Sequence, residues 1–396
     1  MNRIPIRRLL GLSALLIVVV LPAATAQARI KLITLPVRDR VEVRLDHDNA
    51  TLVEEQREVP LVQGENQVDF SWANTAIDPN TIVFRVVKAD FDVNVLSVSY
   101  PPGENSLVWQ VSSAKSGSAI VRISYLLGNL SKTFSYRAVA GHDEKVLTLR
   151  QYVRVNNSAN ESFDTANVHV GIGDTFTRPI GLSETKELLI GKFPNVPIVK
   201  TYTVNPVEFN YIDRPMNKLR VPMHYVIHND QRHELGTEAL PFGKARIFQE
   251  DGRGSSAFLG EDWGDYTAVG DTMKLAIGVA RDINVVRTID KVENKRIAGN
   301  LFNYEVTVKY EIENFKDQAV RLDLEEPLVH LRQEIGHHSD RPVQWDVGDQ
   351  TTFPGGLDKK ESRVDKAVFH ADLPARAGDK AEKSTHYFQV ILRNEW

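Results

Sequence analysis

Cysteine is absent from the 396-residue sequence. This absence excludes disulfide bonds, thiolate metal sites, cysteine nucleophiles and cysteine-linked lipid anchors. A protein without disulfides must depend on large hydrophobic cores for its stability. Hydrophobic residues make up 42% of the chain and are spread along it, which is enough to build such cores in two to four domains of ~100–150 residues each.

Sustained helical periodicity is also missing after residue 28, which argues against α/β nucleotide folds and coiled coils. The sequence contains no G-x-S-x-G, H-E-x-x-H or G-x-G-x-x-G motif and no phosphate-binding loop. The known sequence signatures of common hydrolases and nucleotide-binding enzymes are therefore not found.

Long apolar runs are lacking as well, because the longest, Leu9–Leu21, has 13 residues and a membrane-spanning helix needs about 20. Three arginines precede this run, and the small-residue stretch that follows it ends in Ala26-Gln27-Ala28. This pattern predicts a secretory signal peptide over 1–28 that is cleaved after Ala28, with an uncleaved anchor as the alternative. We expect an exported protein, periplasmic in the first place and extracellular in the second, with no transmembrane span in the mature chain.

Positive charge is in short supply in that mature chain. Without the three arginines of residues 1–28, 45 basic residues remain against 52 acidic ones, a formal net charge of −7. Nucleic acids and anionic lipids attract dense basic patches, so we expect neither as a partner.

What the sequence has in abundance is alternation of apolar and polar residues. From Phe302 to Ile312 every second residue is apolar and the residues between them are polar. A period of two places the apolar side chains on one face of a half-buried antiparallel strand. Similar runs separated by turn-forming residues predict an all-β fold with two or three consecutive antiparallel β-sandwich domains after the signal peptide.

Proline and polar stretches suggest where these domains divide. Pro101 and Pro102 interrupt any ladder, and residues 288–300 are polar. The expected organisation is a signal peptide at 1–28, an N-terminal β-sandwich at 29–102, a central β-rich domain at 103–290 and a C-terminal β-sandwich at 291–396. The proline-rich segment 179–215 predicts extended connections or edge strands.

Several stretches carry a family resemblance. The most specific runs from Leu235-Gly236 through Leu240-Pro241, Arg246 and Leu259-Gly260-Glu261-Asp262 to Asp282. It resembles the C-terminal module, a domain of unknown function, of the mucoidy-inhibitor-A-like exported proteins. Many of those proteins insert a coiled coil after the first sandwich, and this chain lacks it. The resemblance implies an exported β-protein and implies no reaction.

Histidines are the first candidates for metal ligands or bases. His224 and His228 fall on one face of a predicted strand about 13–14 Å apart, too far to share an ion. His337, His338 and Asp340 form the densest group of ligand-type residues, but no spaced partner completes a set of three or four ligands. An exposed turn is the simpler interpretation of this group, and we expect no cofactor.

Three carboxylates lie beside two aromatic residues in the sequence Glu261-Asp262-Trp263-Gly264-Asp265-Tyr266. One hypothesis is a calcium loop, or a sugar platform with acids, because glycoside hydrolysis uses paired carboxylates in an aromatic-lined cleft. The other is an acidic hairpin loop whose rings cover the end of a sandwich. Glu261, Asp262, Trp263, Asp265 and Tyr266 are therefore the candidate binding residues, in a predicted loop.

These features favour a non-catalytic envelope protein over an enzyme. It would bind another envelope protein or a cell-wall glycan through loops or a free sheet edge. The alternative is a hydrolase that acts on envelope carbohydrate or peptide, a hypothesis based on the Glu261–Tyr266 cluster and the histidine-rich turn.

Overall fold

The structure is a computed structural model and describes residues 31–47, 49–207, 218–338, 340–378 and 380–396. The predicted signal peptide at 1–28 lies outside these residues. The described residues are 63% strand and 4% helix, which confirms the all-β fold class. No helix in the described ranges has the length and hydropathy to cross a membrane.

The strands of the described ranges form three sheets and are numbered in chain order. The first sheet has the order β1-β4-β7-β6, with β1 (Lys31–Thr34), β4 (Gly64–Ser71), β6 (Val93–Ser99) and β7 (Ser106–Ser113). The second has the order β12-β11-β2-β3-β8-β5, with β2 (Arg40–Arg44), β3 (Thr51–Leu61), β5 (Val83–Lys88), β8 (Gly117–Leu127), β11 (Phe163–His169) and β12 (Phe176–Ile180).

The third sheet has twelve strands. Its members are β9 (Leu130–Ala140), β10 (Val146–Asn157), β13 (Thr185–Val204), β14 (Lys218–His228), β15 (Gly243–Glu250), β16 (Ser256–Gly264), β17 (Thr272–Ala298), β18 (Leu301–Asn314), β19 (Val320–Pro327), β20 (Trp345–Val347), β21 (Lys366–Leu373) and β22 (Lys383–Glu395). The order is β16-β15-β9-β10-β13-β14-β17-β18-β22-β20, and β19 pairs with both β13 and β21. A short helix, α1 (Leu328–Glu334), follows β19.

These elements divide into two compact units that interleave along the sequence. Unit 1 contains the described residues up to Arg38, Arg57–Ala73 and Arg85–Arg122, and unit 2 contains Asp39–Gln56, Asn74–Phe84 and Ile123–Trp396. The domain limits expected at 102/103 and 290/291 do not coincide with the limits of these units. The first falls in the turn between β6 and β7, which pair with each other, and the second falls inside β17.

Proline has a different role here from the one that the sequence suggested. Pro101 and Pro102 lie in a hairpin connection, where no ladder hydrogen bond is needed. The proline-rich segment contains β13, a central strand of the large sheet rather than an edge. Its register against β10 slips by one residue at Pro194 and Asn195, so a bulge accommodates the proline.

Two hydrophobic cores among the described residues of unit 2 lie against its long sheet. One lies against β9, β10 and β15 and contains Tyr136, Ala245 and Ile247. The other contains Phe369 and Phe388, whose ring centroids are 4.7 Å apart. The alternation predicted for residues 302–312 is confirmed in β18, because Val306, Val308, Tyr310 and Ile312 are buried in this second core.

A buried ion network lies beside that core. Arg287 of β17, 7% exposed, donates two hydrogen bonds to Glu326 at 2.7 and 2.8 Å and two to Glu334 at 2.7 and 3.2 Å. The hydroxyl of Tyr310 donates a short hydrogen bond to Glu326, which is 1% exposed. Burial alone would lower the pKa of Arg287, but the charge and hydrogen bonds of Glu326 outweigh it and raise that pKa. The network keeps its buried charges paired.

A second charged link joins β21 to the loop before it. The ring of His370 donates from Nδ1 to Asp323 at 2.7 Å and from Nε2 to Asp358 at 2.9 Å. Burial lowers the pKa of His370, but the hydrogen bonds to both carboxylates raise it by more. The bond from His370, with backbone N–H groups of Glu361 and Lys360, lowers the pKa of Asp358 to about 2.

This link predicts a pH dependence of stability. The folded pKa of His370 lies above its ordinary value of 6.5, so its contribution is complete below 6.5 and is lost as the pH rises through the folded pKa. The contribution of Asp358 is complete above its ordinary value of 3.8 and is lost as the pH falls towards 2. We expect the urea midpoint to fall more between pH 6 and pH 8 for the wild type than for His370→Gln. His338→Gln, at an exposed histidine, is the control, and equal pH profiles for all three proteins would contradict the prediction.

Candidate functional site

A cleft of about 890 Å³ opens over three neighbouring strands of unit 2, β9, β15 and β16. Period-two alternation explains its lining. Ala245 and Ile247 of β15 point into the core, so Lys244 and Arg246 point to the opposite face. The residues that line the cleft are Asp46, Lys132, Thr133, Phe134, Ser135, Arg154, Val170, Gly171, Ile172, Pro241, Phe242, Gly243, Lys244, Arg246, Trp263 and Tyr266.

Strand register brings the cleft residues together. Lys244 pairs with Trp263 and Arg246 pairs with Glu261 across the antiparallel β15–β16 ladder. β15 runs parallel to β9, with Gly243 opposite Phe134. A Cβ atom on Gly243 would lie 2.6 Å from the carbonyl oxygen of Phe134, so only glycine permits this approach.

Aromatic rings form one part of the cleft wall. Phe242 and Trp263 are stacked, with ring centroids 5.1 Å apart and planes 2° apart. Phe242, Trp263 and Tyr266 are 54%, 53% and 65% exposed, which is unusual for side chains that gain from burial. The hydroxyl of buried Tyr136 donates to the carbonyl oxygen of Pro241 at 2.5 Å and fixes the chain that carries Phe242.

Positive charge forms the other part. Four basic residues, Lys132, Arg154, Lys244 and Arg246, line the cleft together with one carboxylate, Asp46. Glu261 accepts from Arg246 at 3.3 Å and from Lys244 at 3.5 Å, so two cations share one carboxylate at the rim. These two pairs are solvent-exposed and therefore weak. Arg154 pairs with Glu187 at 2.8 Å, and Lys132 donates to the backbone oxygen of Val170 at 2.9 Å.

The five candidate binding residues that the sequence indicated lie in two different settings, three in a strand and two after it. Glu261, Asp262 and Trp263 lie in strand β16 and not in a loop, so the loop prediction is wrong for them. Asp265 and Tyr266 do follow the strand. Tyr266 lines the cleft, and the backbone oxygen of Asp265 accepts from the hydroxyl of Thr267 at 2.9 Å.

Glu261 and Asp262 point to opposite faces of β16, because neighbouring strand residues alternate. Glu261 faces the cleft cations. Asp262 is half-buried and accepts the backbone N–H of Ala276 in β17 at 2.7 Å, which ties β16 to β17. Glycoside hydrolysis requires two carboxylates that flank the same substrate position. Glu261 and Asp262 do not meet this requirement, because they lie on opposite faces of the strand.

The histidines near the end of α1 do not converge on one point. The ring of His337 lies against that of Tyr304, with centroids 4.2 Å apart, and His338 and Asp340 are exposed. The described ranges contain no group of three or more His, Cys, Asp or Glu side chains arranged to hold a metal ion. His224 is half-buried, and burial lowers its pKa.

Sequence reasoning missed most of the cleft. Lys132, Phe134 and Arg154 belong to β9 and β10, more than 80 residues before β15, and no local motif connects them. The sequence does indicate that Lys244 and Arg246 share one face of a strand, because they alternate with the apolar residues Ala245 and Ile247. It does not indicate which residues of other strands lie beside them, because that depends on strand order.

The chain has no match among protein-family models and none among curated proteins. The hypotheses about function therefore depend on the residues of the cleft.

Proposed function

We propose that the protein binds an anionic glycan of the cell envelope in this cleft and does not catalyse a reaction on it. The observation that carries the proposal is the lining, in which four basic side chains and four aromatic rings lie together, with Asp46 as the one carboxylate among the lining residues. Glu261 and Glu187 pair with three of the basic side chains through contacts that an acidic ligand would replace. The chain as a whole has a formal net charge of −4, so a basic cleft is a local feature and not a reflection of composition.

Glycans suit this combination of residues. Sugar rings have apolar C–H faces that can lie on exposed aromatic rings such as Phe242 and Tyr266, and polar edges that accept hydrogen bonds. Carboxylates on the sugars would pair with Lys244 and Arg246 in place of Glu261. The cleft, of about 890 Å³, has room for more than one sugar ring.

The positions of the carboxylates favour binding over hydrolysis. Glu261 is neutralised by two cations, and Asp262 is used in a backbone contact on the other face of the strand. The signal-type sequence of residues 1–28 and the absence of cysteine support an exported, periplasmic location.

Removing the charges of the cleft tests the proposal. We expect the double variant Lys244→Gln/Arg246→Gln to bind tetragalacturonate about tenfold more weakly than the wild type, because two charge-assisted contacts are lost. Isothermal titration calorimetry at low salt gives the affinities. The affinity of the wild type should also fall as sodium chloride is added.

Arg253→Gln is the matched control, since Arg253 is exposed in the turn at the far end of the same hairpin. It should bind tetragalacturonate as the wild type does, and the neutral maltotetraose should bind no variant well. If the wild type bound neither tetragalacturonate nor another acidic glycan, the proposal would be wrong. Recovery of a specific protein partner in its place would favour the envelope-protein alternative.

A further inference from the structure

A smaller cavity, of about 210 Å³, lies in unit 2 and is lined in part by residues 235–240, the segment before β15. Strands β10 and β13 contribute Gln151, Gly191 and Phe193 to its wall, and the segment before β15 contributes Leu235 and Leu240. Leu235 and Leu240 belong to the hydrophobic core, so the cavity is partly apolar.

Gln151 is the unusual member of this wall. It is 4% exposed, and its Nε2 atom is buried without a hydrogen-bond partner among the described residues. A buried donor without a partner is destabilising, so a ligand that pairs with it gains affinity. Because rotation about the last side-chain bond exchanges the two ends of the amide, Gln151 can offer either an N–H or a carbonyl oxygen to the cavity.

Glycine makes room for that amide. A Cβ atom on Gly191 would lie 3.3 Å from Oε1 of Gln151 and 2.7 Å from the ring of Phe193. The wall of the cavity thus combines the uncharged polar side chains of Gln151, Asn229 and Thr237 with apolar side chains such as Phe193 and Leu235. Its acidic lining residues, Asp174 and Glu238, disfavour an anion at this position.

The cavity and the cleft both border a third space. This space of about 500 Å³ shares Gly173 and Glu238 with the small cavity and shares Asp46 and Tyr266 with the cleft. Ile172 lines all three spaces. A ligand of several sugar units can thus lie along the basic cleft and place one substituent beside Gln151.

We propose that this substituent is an acetamido group, so that the ligand is an anionic glycan that contains N-acetylated sugars. The amide of Gln151 pairs with the amide of the ligand, and the acetyl methyl group contacts Phe193 and Leu235. An acetamido group has the donor, the acceptor and the apolar end that this cavity requires. The inference rests on the proposed function, because the rest of the ligand lies in the cleft.

The test compares two acidic tetrasaccharides by calorimetry. Hyaluronan tetrasaccharide carries acetamido groups, and tetragalacturonate does not. We expect the wild type to bind the hyaluronan fragment about tenfold more tightly, which corresponds to one well-formed buried hydrogen-bonded group. In Gln151→Met, which preserves the side-chain volume, the preference should disappear through loss of hyaluronan affinity alone.

Saturation-transfer NMR provides a measurement that needs no variant, and the acetyl methyl group should receive the strongest saturation. Equal affinities of the wild type for the two probes, or a preference that Gln151→Met retains, would overturn this inference and leave the proposed function intact. If neither probe binds the wild type, the proposed function fails, and this inference fails with it.

Discussion

Replacing Arg287 by methionine is expected to lower the free energy of unfolding by about 3–5 kcal/mol, because the buried Glu326 then loses its counter-charge. Four hydrogen bonds from the guanidinium group to Glu326 and Glu334 disappear with the substitution. The hydroxyl of Tyr310 remains as a donor to Glu326 but carries no charge. Urea denaturation followed by circular dichroism measures the loss.

Arg281→Met is the matched control, because Arg281 is exposed on the same strand, and it should change the free energy of unfolding by less than about 0.5 kcal/mol. In the double variant Arg287→Met/Glu326→Leu we expect more than half of the lost stability to return, since buried ion pairs can be replaced by apolar residues of similar size. An Arg287→Met loss as small as that of the control would mean that the network does not stabilise unit 2.

Replacing Gly236 by alanine is expected to cost about 2–5 kcal/mol, for two separate reasons. Its φ of +81° is a left-handed conformation that costs a residue with a side chain about 1–2 kcal/mol. A Cβ atom would also lie 2.6 Å from backbone atoms of Asp230 and Gln231, and such overpacking costs about 1–3 kcal/mol. The loss is again measured by urea denaturation.

Gly254→Ala separates the two reasons. Gly254 has a φ of +92° with no atom near the position of a Cβ, so alanine there should cost only the conformational part, about 1–2 kcal/mol. Gly236 also donates its N–H to Asn229 at 2.9 Å and lines the small cavity, so Gly236→Ala should weaken binding of the hyaluronan fragment. Equal costs for the two substitutions would contradict the steric argument.

The alternation of apolar and polar residues predicted where strands occur better than it predicted which strands pair with each other. Alternation in residues 302–312 depends only on which side chains prefer water, and β18 forms where it indicates. The proline rule failed for β13, because a bulge at Pro194 and Asn195 lets a proline-bearing strand occupy the middle of a sheet. The expected domain limits differ from the limits of the two compact units, because each unit is built from separate stretches of the chain.

The residues of the candidate site were likewise only partly predictable from the sequence. Trp263 and Tyr266 were named from sequence as ligand-contacting aromatics, and both line the cleft. The carboxylates named with them do not act together, because Glu261 and Asp262 lie on opposite faces of a strand that had been predicted as a loop. Gln151 gave no signal at all, since its unpaired amide is a property of its surroundings.

The sequence by itself determined that this protein is built of β-strands, because the period of two between apolar and polar residues is a local property of the chain. It also determined that no disulfide holds the protein together. Only the tertiary structure decided which strands are neighbours, and so placed Lys132 and Arg154 beside Lys244 and Arg246. Strand order depends on how whole faces are buried against each other, and that free energy is shared among residues far apart in the chain.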